Sequence, residues 1–95
     1  MFTHVVLFRL KDRSPASVER AASVLRAMQG NVPSLRGIEV GVNVVPAERA
    51  YDIALITRFD SLAAMEEYQV HPNHVKVRDY MVSVMETSVA VDFES

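Results

Sequence analysis

Two segments of this chain alternate with the period of a strand and are nonetheless apolar on both sides. In FTHVVLFRL, residues 2–10, the side chains of Phe2, His4, Val6 and Phe8 project one way and those of Thr3, Val5, Leu7 and Arg9 the other. In YDIALITRF, residues 51–59, Tyr51, Ile53, Leu55, Thr57 and Phe59 oppose a second set with Ala54 and Ile56 at its centre. A sheet built on such strands needs cover on both faces. A chain of 95 residues forms one domain, 1–95, with few elements to supply that cover. At this size roughly 60–65% of the extended-chain surface is buried on folding. Cysteine is absent, so no disulfide adds to the core.

The remaining pattern supplies cover for one face. Ser14 can cap a helix with Pro15 at its first position. Val18, Ala21, Ala22, Leu25 and Met28 then share a helical face, ended by Gly30 and Pro33. Ile38, Val40, Val42 and Val44 alternate as a second strand, followed by a connection through Pro46. After the third strand, Asp60 or Ser61 caps a second helix with Leu62, Met65 and Tyr68 on one face, stopping near His71 because Pro72 follows. Residues 73–82 restart a short helix, and 84–93 make a fourth strand in which Met85, Thr87, Val89, Val91 and Phe93 share a side.

The order is β-α-β-β-α-β with a short extra helix before the last strand. This predicts a ferredoxin-like α+β fold, with helices on one face of a four-stranded antiparallel sheet. Val5, Leu7, Ala54 and Ile56 would then project from the uncovered face. A second copy packing sheet against sheet covers them, so the expected partner is a homodimer through the sheet face.

Charge excludes several functions. Ten basic and twelve acidic residues leave a formal charge of −2 with no dense basic stripe, which argues against nucleic acid or an anionic membrane as partner. The apolar runs are too short to span a bilayer. The opening MFTHVVLFRLKD carries its charges after the apolar stretch, the reverse of a secretory signal, so the expectation is no targeting segment and a cytoplasmic location. The glycine and lysine spacing of a phosphate loop is missing, no flavin or haem motif stands out, and no cofactor is expected.

The polar candidates gather in EEYQVHPNHVKV, residues 66–77. His74 can take and return a proton near neutral pH, as enolisation beside a carbonyl requires, or it can brace a helix end. Tyr68 can donate to an oxyanion or orient His74. Six positions and Pro72 separate the two, so ideal helix geometry does not say whether they meet. His4 shares its strand face with Val6 and Phe8, as a hydrogen-bonded core residue or a ligand contact. His71 reads as a structural group at the helix end, and nothing fixes a third ligand for a metal beside His4 and His74, so no metal is expected. Asp52 reads as a rim or turn residue.

The element order and the phrases HVVLFRLK, GIEVGVN, YDIALITRF and YQVHPNH resemble the stress-response A/B barrel domain family over nearly the whole chain. The resemblance implies two ferredoxin-like protomers whose sheets close into a shared barrel. One plant branch of the family is a polyketide cyclase, closing a linear poly-β-keto product into an aromatic ring through a histidine–tyrosine pair in a pocket between sheet and helices. That motif corresponds to Tyr68 and His74, and the pocket histidine of the first strand to His4. A further histidine, near the start of the third strand, is replaced here by Ile53, which departs from the cyclase pattern and makes the pocket more apolar.

Three readings follow. The first is a protein binding a small apolar or aromatic ligand in a pocket with His4, Tyr68, His74 and Met81 on its wall. Val40, Val42, Ile53, Leu62 and Met65 complete that expected lining. The second is a cofactor-free cyclase, lyase or isomerase with His74 as general base and Tyr68 as orienting or oxyanion donor. The third is a purely structural dimeric module.

Overall fold

The computed structural model describes residues 1–95. It runs β1 (Phe2–Leu10), α1 (Pro15–Arg26), β2 (Gly37–Val42), β3 (Ile53–Phe59), α2 (Leu62–Val70), α3 (Pro72–Val84) and β4 (Met85–Glu94). The strands form one antiparallel sheet in the order β2-β3-β1-β4. This is the expected ferredoxin-like arrangement, with the doubly apolar strands β1 and β3 at the centre and the more polar β2 and β4 at the edges.

Local chemistry accounts for the element ends. The Ser14 hydroxyl accepts from the Ser17 N–H at 3.3 Å, and Pro15 occupies the first turn of α1, where no donor is needed. The face carrying Val18, Ala21, Ala22 and Leu25 is buried against β2 and β3. The alternation that runs on to Val44 does not extend β2 that far. Asn43 still donates to the Asp52 carbonyl, but its side chain bonds the Val45 carbonyl at 3.0 Å and turns the chain, leaving Val44 87% exposed.

The two central strands place Phe2, Phe8, Leu55 and Phe59 on the helix side, where they join Leu25, Met28, Met65 and Tyr68 in one core. Each large side chain buried in this way contributes about 1.5–3 kcal/mol. β4 departs from strict alternation. A register shift opposite Arg9 and Leu10 pairs Met85 with Leu10, which moves Met85 to the helix side, away from Thr87, Val89, Val91 and Phe93.

The opposite sheet face has no cover within the chain. Val5, Leu7, Ala54, Ile56, Val89, Val91 and Phe93 share it through the strand register, and Leu7, Val89, Val91 and Phe93 are exposed. Only 18 of the 95 residues are buried, so this face is where a further large burial can come from.

Asp52 is a buried anchor rather than a rim residue. Its carboxylate accepts from the Leu10 N–H at 2.9 Å and from the Arg13 Nε–H at 3.0 Å, tying the end of β1 and the β1–α1 loop to the entry of β3. Asp52→Ala is expected to lower stability by about 2 kcal/mol, because the buried Leu10 N–H loses its acceptor. Urea denaturation measures it, and an unchanged midpoint would mean that the Asp52 carboxylate contributes nothing to folding.

Candidate active site

The α2–α3 junction resolves whether Tyr68 and His74 meet. His71 precedes a proline and is extended, with φ −65° and ψ 136°, so α2 must stop there. The same residue starts α3: its Nδ1 accepts from the Asn73 N–H at 3.1 Å, which makes it a side-chain cap. The bend folds α3 back so that the Tyr68 and His74 rings meet in a tilted contact, with centroids 4.2 Å apart and planes at 44°. On its other side Tyr68 meets Phe59 at 5.0 Å in a tilted arrangement.

α3 packs on α1 and α2 rather than flat on the strands. Beneath it the sheet offers Ser88 on β4, too small to fill the space. A cavity of about 170 Å³ remains between α3 and strands β1 and β4. His4, Val6 and Phe8 supply its floor, Met28 and Tyr68 one wall, and His74, Val77 and Met81 its α3 side. Ten of its fourteen lining residues are hydrophobic, so its interior suits an apolar ligand body.

Each histidine at the cavity has its Nδ1 engaged. The His74 Nδ1 lies 3.1 Å from the Gln69 carbonyl oxygen, which can only accept. In neutral His74 the proton is therefore on Nδ1 and the lone pair on Nε2. Burial lowers the pKa of His74 below its ordinary 6.5; the Gln69 carbonyl opposes this, and the charges of Arg78 and His4 add to it. His4 is bonded through Nδ1 to the Asp92 carboxylate across the β1–β4 pair, which leaves its Nε2 unengaged.

Tyr68 is buried, ring and hydroxyl alike. The side chain is 1% exposed, and its hydroxyl donates to the Met28 Sδ at 3.7 Å, a weak bond. Burial raises the phenol pKa, so the group stays protonated as a donor.

The structure brings His4, Tyr68, His74 and Met81 to the cavity, and leaves the other expected lining residues elsewhere. Val40 and Val42 lie on β2, at the far edge of the sheet from β4, and pack against the core. Ile53 and Met65 are buried in the core itself, and Leu62, on the first turn of α2, is half exposed. The space lies over β1 and β4 and reaches only Leu55 of β3 and Tyr68 of α2, so the residues further along those elements and on β2 fall outside it. His71 caps α3, and no three His, Asp or Glu side chains assemble at metal-ligand spacing.

Asp92 is the functional candidate that the sequence reading passed over. Its parity on β4 opposes that of Val89, Val91 and Phe93, which is also the parity that faces the helices, and the antiparallel register sets it across from His4. An acidic residue at a helix-facing position, next to Ala90 on the same side of the strand, was the available signal.

A model of the stress responsive A/B barrel domain matches residues 2–95. The chain belongs to the stress-responsive A/B barrel domain family. An uncharacterised protein of Streptomyces coelicolor is 34% identical to this A/B barrel chain over 77 residues, covering 78% of this chain and 79% of that protein. Among solved structures, a dimeric ferredoxin-like protein of unknown function from Bacteroides fragilis superposes with TM-score 0.84 at 31% identity, covering 99% and 95% of the two chains. Hydroxynitrile lyase from Passiflora edulis superposes with TM-score 0.82 at 20% identity over 97% and 90%, which shows a shared fold. No helix of this A/B barrel protein is long and apolar enough to cross a membrane.

Proposed function

We propose that this A/B barrel protein binds a small apolar or aromatic carbonyl compound in the cavity under α3, and that His74 takes a proton from the carbon beside the carbonyl. The observation that carries this reading is the His74 geometry: Nδ1–H is held by the Gln69 carbonyl, and the lone pair is left on Nε2 of a cavity-lining imidazole. A lowered pKa keeps that nitrogen a free base at neutral pH. The cavity, about 170 Å³, is close to the ~150 Å³ known to accept benzene, which sets the ligand body at about one ring.

In the step proposed, the C–H bond beside the carbonyl breaks, its proton goes to His74 Nε2, and its electron pair becomes an enolate. His4, held through Nδ1 by Asp92, lies in the same cavity, where its ring can meet the carbonyl end of the ligand. Tyr68 positions the His74 ring by direct ring contact. Ring closure, bond cleavage or isomerisation can each proceed from an enolate without a cofactor. A lyase on the same fold, in Passiflora edulis, supports the feasibility of enzymatic chemistry on this scaffold.

The test is deuterium exchange at the α-carbon of phenylacetone in D2O, followed by NMR together with the His74 ring signals. His74→Ala is expected to slow exchange roughly 10²–10⁴-fold while phenylacetone still binds. Binding without exchange by the unsubstituted protein would favour a carrier over an enzyme, and the absence of both would sink the pocket reading. The pH dependence has a defined sign. Exchange should persist below pH 6.5 and fail only as His74 protonates at its lowered pKa. Folding follows the same linkage: the penalty for charging His74 is absent above 6.5, grows as the pH falls through that value, and is complete below the folded-state pKa.

We also infer a homodimer formed by packing the uncovered sheet faces of two copies. The support is the exposed apolar set Leu7, Val89, Val91 and Phe93, and the dimeric state of the Bacteroides fragilis protein. A cytoplasmic location suits a chain with neither cysteine nor a membrane-crossing helix.

A further inference from the structure

The cavity has one feature that the proton-transfer reading does not use. Arg78 lies one turn of α3 beyond His74 and contributes to the cavity lining, yet its side chain is half exposed, so it stands at the opening. Val82, one turn further on, is also exposed and lines the same cavity, which marks this edge of α3 as the mouth. The guanidinium is poorly matched within the chain. Its one ionic partner is the neighbouring Asp79, a single contact of 3.3 Å between two exposed groups, which water and salt weaken.

The charges around the cavity are one-sided. Arg78, His4 and His74 line it, and no aspartate or glutamate does. Asp92, the carboxylate nearest to this set, is occupied by His4. A cavity with an apolar interior and a weakly matched guanidinium at its mouth is complementary to a molecule with an apolar body and an anionic end. Arginine suits this role because its planar fork offers two parallel N–H donors to a carboxylate.

We propose that the ligand is a small aromatic or apolar carboxylic acid, held with its apolar body in the cavity and its carboxylate on Arg78. This rests on the carbonyl-binding reading above and narrows it to the oxo acids, in which one molecule carries both the carboxylate for Arg78 and the carbonyl for the histidines. Arg78 is then the residue that sets the preference for acids over neutral ketones.

Phenylpyruvate and phenylacetone test this, because they differ by a carboxylate in place of a methyl group on the same benzyl carbonyl. Their dissociation constants are measured by isothermal titration calorimetry on the intact protein and on Arg78→Met, which keeps the length and the apolar stem. The unsubstituted protein is expected to favour phenylpyruvate by at least about tenfold, the scale of a charge-assisted pair. That margin should shrink as salt is raised. In Arg78→Met it is expected to vanish, with phenylacetone binding unchanged within about twofold. Equal affinity for both compounds in the unsubstituted protein, or a preference that survives in Arg78→Met, overturns the role of Arg78 while leaving the cavity reading intact. Binding of neither compound overturns both.

Discussion

Tyr68→Ala is expected to destabilise the chain by about 3–5 kcal/mol, the range for deleting a large aromatic side chain from a core. Tyr68 is among the largest fully buried side chains and bridges Phe59 and His74, so its removal leaves a void that two separate elements border. Tyr68→Phe is expected to cost less than about 1 kcal/mol, because the hydroxyl gives up one weak bond to the Met28 sulfur. Thermal and urea denaturation of the two variants separate ring from hydroxyl. The same pair discriminates the two roles open to Tyr68 in catalysis. If the ring positions His74, Tyr68→Phe should retain proton exchange within a fewfold of the parent. A loss of several hundredfold in Tyr68→Phe at unchanged stability would instead make the hydroxyl an oxyanion donor.

Leu7→Asp should disrupt self-association. Leu7 stands on the outer sheet face, paired with Ala54 on one side and Val89 on the other, in the middle of the exposed apolar set. It is 36% exposed in the single protomer, so a carboxylate there can reach water while the chain is alone. In a sheet-to-sheet dimer the same carboxylate is buried without a partner, at a cost of about 3 kcal/mol or more. That raises the dimer dissociation constant at least about a hundredfold. Sedimentation equilibrium reads the constant and circular dichroism reads the protomer fold. A folded Leu7→Asp dimer of unchanged affinity would rule out this packing.

These expectations differ in how far they could be drawn before the fold was known. The proposed dimer face is written in β1 and β3, where alternation with apolar residues on both sides calls for two covers and the helices supply one. The element order followed from caps and breakers with local causes, such as Ser14 with Pro15 and His71 with Pro72. The cavity was less legible. His4, Tyr68, His74 and Met81 were accessible from residue type and element face, but Val40, Val42, Ile53, Leu62 and Met65 fit the same inward-facing pattern and sit elsewhere. Parity gives the face of a strand; it does not say where along the sheet a helix stands off and leaves space.

The sequence by itself therefore determined the fold class, the doubly apolar central strands, and the histidines and tyrosine available for chemistry, because each depends on residues within a few positions of one another. Only the tertiary structure decided that Tyr68 and His74 meet, that Asp92 engages His4 across 88 positions, that a register shift turns Met85 inward, and that Arg78 stands at a cavity mouth. Those facts depend on the strand register and on where α3 comes to rest over β1 and β4. Both are set by packing among distant segments, which no local pattern encodes.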